Sequence, residues 1–83
     1  MEFTAAQITG AAIDALMKSQ DRDENWLAEK MDVKVPYVYQ LRKGSRSMSL
    51  TQSQKVGALF GCKLSEFIAV GEKACEAQNE KGA

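Results

Sequence analysis

Eighty-three residues, 45% of them hydrophobic, suffice for one small domain with a core of little more than minimal size. The chain has no histidine, and Cys62 and Cys75 are too far apart for a CxxC site, so no metal ligand set, cofactor site or catalytic nucleophile and base can be drawn from it. Eleven basic residues balance eleven acidic ones, and zero net charge by itself argues against a nucleic-acid partner.

The distribution of charge reverses that impression. From Met1 to Asp32 three bases face seven acids, and from Leu64 onward two bases face four acids. Between Val33 and Lys63 lie Lys34, Arg42, Lys43, Arg46, Lys55 and Lys63, with no acid among them. This middle third is a cationic surface of the kind that attracts phosphates. No apolar run approaches the ~20 residues needed to span a bilayer, and no basic stretch followed by an apolar one opens the chain. A cytoplasmic protein with buried free thiols is expected.

In chain order, the first helix is predicted from Thr4 to about Ser19. Thr4 with Gln7 three residues on forms a capping box, and Ile8, Ala11, Ala12, Ala15 and Leu16 supply an inward stripe. Gly10 weakens this helix by about 1 kcal/mol relative to Ala, so it is read as the site of a close helix contact. A polar connection from Ser19 to Arg22 follows.

Asp23 is the predicted N-cap of a second helix running from about Glu24 to Lys30, with Met31 and Asp32 as the turn. Trp26 is expected to be half-buried against the first helix or the chain end. A third helix begins near Val35, where Pro36 fits a first turn, and ends at Gly44. Leu27, Ala28 and Met31 give one apolar stripe, and Val38 with Leu41 gives another. Helices this short are marginal in water, so both must dock on a common core.

Gly44 to Met48 reads as a polar loop. Ser49 with Gln52 is a second capping box, opening a fourth helix whose inward face is Leu50, Ser53, Val56, Gly57, Leu59 and Phe60, closed by Gly61. The fifth helix is predicted from Leu64 to about Ala77, with Leu64, Phe67 and Ile68 facing the core. Residues 1–77 form the expected domain, and 78–83 are read as a disordered tail.

The stretch from Asp23 to Gly44, DENWLAEKMDVKVPYVYQLRKG, resembles the helix-turn-helix of Cro/CI-type phage repressors and their bacterial relatives. Ala28, Val33, Val38 and Leu41 stand where that family places its packing residues, and Gly44 stands where a glycine usually closes the recognition helix. The register continues through Leu50, Leu59 and Phe67, so the resemblance covers Ile8 to Ile68. Asp32 replaces the usual turn glycine, a tolerable choice because Asp reaches positive φ more readily than most residues. Glu24 replaces a polar residue that often contacts phosphate, and would repel one.

The resemblance implies an all-α, five-helix, lambda-repressor-like DNA-binding domain, with its helix-turn-helix at helices 2 and 3. Since Val38 and Leu41 point inward, Val35, Pro36, Tyr39 and Gln40 are the expected base-reading residues. Gln40 suits adenine and Val35 a thymine methyl. Lys34, Tyr37, Lys43, Ser45 and Arg46 are the expected phosphate contacts, which set register without reading sequence. Arg42 occupies a place where relatives often carry an acid.

The implied function is a transcriptional regulator that binds operator DNA, most simply a repressor, with no cofactor, no small-molecule ligand and no enzymatic activity. A homodimer would place two recognition helices about one DNA turn apart. Val70, Ala74 and Ala77, a milder stripe on helix 5, are the candidate dimer surface, with plain solvent exposure as the alternative. A protein antagonist is a possible partner. The competing reading is a protein-interaction module on the same fold, an antitoxin or anti-regulator, binding through Val35, Tyr37 and Tyr39.

Overall fold

The computed structural model describes the backbone of residues 2–82 and the side chains of residues 2–78. Among the described residues there are five helices and no strand: α1 (Ala5–Ser19), α2 (Glu24–Met31), α3 (Val35–Arg42), α4 (Leu50–Leu59) and α5 (Leu64–Gly82). None is long and apolar enough to cross a membrane.

The helix starts are set by local hydrogen bonds. Thr4 Oγ1 accepts from the Gln7 N–H at 3.1 Å while the Gln7 side chain accepts from the Thr4 N–H at 2.8 Å, completing the first capping box. Ser49 and Gln52 repeat the arrangement at α4. Asp23 accepts from the Trp26 N–H at 2.8 Å at the start of α2, and Glu66 accepts from the Lys63 N–H at 2.8 Å ahead of α5. Each bond satisfies a donor that the helix itself leaves without a partner.

Asp32 closes α2 in the left-handed region, with φ 57° and ψ 48°, and its N–H still reaches back to Ala28 and Glu29. The Val33 N–H then donates to the Ala28 carbonyl at 2.9 Å, so α2 and α3 are joined through a tight connection. Gly44, at φ 75°, turns the chain out of α3. α5 continues past Ala77, the end predicted for it, to Gly82, since no helix breaker intervenes between them. Of the tail read from the sequence, Ala83 lies outside the described residues.

The core is built from Ile13 and Met17 of α1, Leu27 of α2, Val38 and Leu41 of α3, Val56 of α4 and Phe67 of α5, all essentially inaccessible. α1 packs against both α5 and α3. Its two crossings are close: a Cβ on Gly10 would lie 2.2 Å from the Leu41 carbonyl oxygen, and one on Gly71 would lie 2.1 Å from that of Ile8. The close contact expected at Gly10 is therefore present, between α1 and the end of α3.

Two details of the predicted core differ. Ile13 and Met17, outside the expected stripe, are buried deeper than Ala15 within it. Leu50 and Leu59, expected inside, are 72% and 36% exposed. Ser53, Val56, Gly57 and Phe60 recur at helical spacing and take the buried side of α4, which leaves Leu59 on its flank and Leu50 ahead of the packed turns. Trp26, half-buried against the core, also packs on Phe60 at the end of α4, with ring centroids 5.4 Å apart, and carries the Arg22 guanidinium 4.6 Å from its centroid.

Candidate nucleic-acid interface

α3 is anchored from one side only. Val38 and Leu41 are fully buried beneath it. At about 100° per residue, Pro36, Tyr39, Gln40 and Lys43 occupy the opposite side in a single stripe. All four are exposed, Tyr39 to 48%. Pro36 lies in the first turn, where a missing N–H leaves no intrahelical bond unmade, and Lys34 stands at the N-cap, exposed.

Two of the residues expected on this face lie on its edges. Val35, assigned to base reading, is half-buried and packs against the core, as does Tyr37, assigned to phosphate. Helical geometry accounts for both, since each is roughly a quarter turn away from the outward stripe. Tyr37 instead supports a cation: the Arg46 guanidinium lies 4.9 Å from the centroid of its ring, a cation–π distance. The hydroxyl and N–H of Ser45 both donate to the Gln40 carbonyl, at 3.0 and 3.1 Å, which ties the loop carrying Arg46 to the end of α3.

Arg42 leaves the cationic surface to which the sequence assigned it. Its Nε donates to Asp14 Oδ1 at 3.0 Å, its two terminal nitrogens pair with Asp14 and Glu24, and Asp14 also holds Lys18 at 2.9 Å. Glu24 therefore does not stand as a free negative charge at the start of α2; it is neutralised from within by α3. Burial pushes the Asp14 carboxyl up, but hydrogen bonds from Lys18 and Arg42, and their charges, outweigh it and hold the group below its ordinary value. Burial likewise works against the Arg42 charge, and the hydrogen bond to Asp14 together with the charges of Asp14 and Glu24 more than restores it.

Lys34, Lys43 and Arg46 remain around the stripe, all exposed and, among the described residues, in no ion pair. The arrangement is a helix face presenting one aromatic ring, one amide and one proline, framed by three cations. An amide can make paired hydrogen bonds, and fixed cations can hold phosphates at a set distance. The candidate dimer residues lie apart from this face on α5. Val70 packs against the core, Ala74 is half-buried and Ala77 is exposed, while Gly71 and Cys75 are the buried positions of that stretch.

The sequence reading missed the Asp14–Arg42–Glu24 cluster. Its one available signal was Asp14, an acid set between the buried positions Ile13 and Leu16 with Lys18 four residues on.

Fold and site together define a small all-α domain that exposes one face of a short, firmly seated helix. No family model matches the chain, and no curated protein or solved structure does.

Proposed function

We propose that this protein is a sequence-specific double-stranded DNA-binding regulator of the Cro/CI helix-turn-helix type, acting as a dimeric repressor on a palindromic operator. The observation that carries the reading is the α3 stripe: Pro36, Tyr39, Gln40 and Lys43 project from a helix whose other side is locked by Val38 and Leu41. α2 and its tight connection then serve as the support that sets the angle of α3. Tyr39 and Gln40 read base edges in the major groove, and Lys34, Lys43 and Arg46 bind flanking phosphates.

Pairing of Glu24 with Arg42 favours this reading, because it offsets one of the two acidic charges, Asp23 and Glu24, that stand at the start of α2. A single half-site offers few contacts, so tight binding requires two copies, with half-sites about 34 Å apart. The competing reading, an antitoxin or anti-regulator that binds protein, is favoured by the exposure of Tyr39 and by the zero net charge with its acidic ends.

Selection of binding sites from random duplex DNA, at low and high salt, tests the proposal. An enriched inverted repeat whose affinity falls with salt is the expected result. Absence of enrichment at low salt overturns it in favour of a protein partner for the same face.

A further inference from the structure

A second surface lies away from α3, in the groove between α2 and α4. Lys30 and Met31 form one bank, Gln52, Lys55 and Leu59 the other, and Val56 lies at its base. No residue of α3 lines it. On α4 the lining positions 52, 55, 56, 58 and 59 recur three and four residues apart, so the groove runs along that helix for about 10 Å, two turns.

Its chemistry is amphipathic in a definite way. Leu59, on the flank of α4, is 36% exposed here, and Met31 beside it is a flexible, adaptable side chain. Each bank also carries a lysine, and neither Lys30 nor Lys55 joins an ion pair among the described residues. Lys18 and Arg42, by contrast, are matched by Asp14 and Glu24. The groove therefore leaves uncovered both an apolar strip and one positive charge on either side of it.

We propose that this groove docks an acidic amphipathic helix of a partner protein, with an apolar stripe seated between Met31 and Leu59 and carboxylates on both flanks facing Lys30 and Lys55. A helix laid along a groove uses one apolar face and two polar edges, and the two lysines specify the sign of both edges. A nucleic acid strand satisfies the lysines but not the strip, and a neutral apolar helix satisfies the strip but not the lysines. The surface shares no residue with the α3 stripe, so the proposal stands or falls independently of DNA binding.

The test titrates isotope-labelled full-length protein with two synthetic helices, each with a leucine stripe, one flanked by glutamates and the other by lysines. The glutamate helix is expected to move the amide signals of Lys30, Met31, Lys55 and Leu59, and to bind at least about tenfold more tightly than the lysine helix. The variant Lys30→Glu/Lys55→Glu should reverse that preference, and Leu59→Ala should weaken both helices while leaving DNA affinity unchanged. All three positions are at the surface or its edge, so loss of the fold does not cloud the result. Equal binding of the two helices, no binding, or shifts centred on Tyr39 would each overturn the proposal. Self-association of the protein that disappears in Lys30→Glu/Lys55→Glu would overturn it as well, by making a second copy the occupant.

Discussion

Arg42 of α3 reaches across to Asp14 of α1, its Nε 3.0 Å from the carboxylate, and pairs with Glu24 of α2 from the same guanidinium. One planar fork thus fixes three helices at once, next to the face proposed to meet DNA. Arg42→Met leaves Glu24 without its partner and Asp14 with Lys18 alone, in a site where Arg42, Asp14 and Glu24 are only about a fifth exposed. A loss of about 2 kcal/mol is expected, read as a lower urea midpoint at unchanged slope. Arg42→Lys should recover only part of it, because an ammonium cannot serve both acids in the same geometry.

The same cluster makes stability depend on acid. The Asp14 carboxyl is held below its ordinary value, so the folded state binds its proton less readily than the unfolded chain does. Its contribution is complete above the unfolded value and is lost as pH falls through the folded one. Unfolding free energy should therefore decline through the acidic carboxylate range. Asp14→Asn, measured by urea titration at a series of pH values, should be less stable at neutrality and show a flatter decline.

Much of this architecture could be read from the sequence because its signals are local. Thr4, Asp23 and Ser49 each announce a helix start through a bond to a residue three positions on, and Pro36 and Gly44 bracket α3. Val38 and Leu41 identified the buried side of α3 and, by opposition, the exposed one. What escaped depends on neighbours distant in sequence. The Arg42–Asp14 bond spans 28 positions: helical spacing sets Arg42 four residues after Val38, near the buried side, but does not name the acid it meets. Val35, read as outward by opposition to Val38 and Leu41, and Tyr37, read as a phosphate contact, instead sit half-buried at the edges of the face, where flanking core residues meet them. Leu59 had the right residue type for the interior, but the spacing of Ser53, Val56 and Phe60 had already claimed that side of α4.

Gly10 offers a test in which local and tertiary effects oppose each other. Alanine there should strengthen α1 by about 1 kcal/mol as a helix. Its Cβ would, however, lie 2.2 Å from the Leu41 carbonyl oxygen and 3.0 Å from the Gly44 nitrogen, both backbone atoms that cannot turn aside. Tertiary crowding should win, with a net destabilisation of about 1 to 3 kcal/mol in thermal or urea unfolding. Gly71→Ala, with the Ile8 carbonyl 2.1 Å away, should behave alike. A more stable Gly10→Ala protein would mean that α1 and α3 are less tightly apposed than described.

The two thiols should differ in reactivity. Cys62 is half-buried, while Cys75 is buried and its thiol lies 3.6 Å from the Gln7 carbonyl oxygen. Burial, and then the neighbouring Glu76 charge, push the Cys75 thiol above its ordinary value, which suppresses the thiolate. A thiol reagent at neutral pH should label Cys62 first, and label Cys75 only at the rate at which α5 leaves α1. Equal labelling of both under native conditions would contradict the packing of that helix pair.

The face of α3 is best dissected by asking which variants change the choice of DNA and which change only its grip. Gln40→Ala removes the one side chain there able to make a paired bond to a base, so discrimination between operators should fall by about 1 to 3 kcal/mol. Lys43→Ala and Arg46→Ala should weaken all sequences alike and each reduce the salt slope by about 1. Tyr37 separates two roles. Tyr37→Phe keeps the ring beneath Arg46 and removes the hydroxyl, whereas Tyr37→Leu removes the platform. If Tyr37 positions Arg46, the Phe variant should bind as the parent does and the Leu variant should bind like Arg46→Ala, with little further loss when the two changes are combined. If the hydroxyl itself holds a phosphate, Tyr37→Phe should weaken binding on its own, and the Arg46→Ala loss should add to it in full.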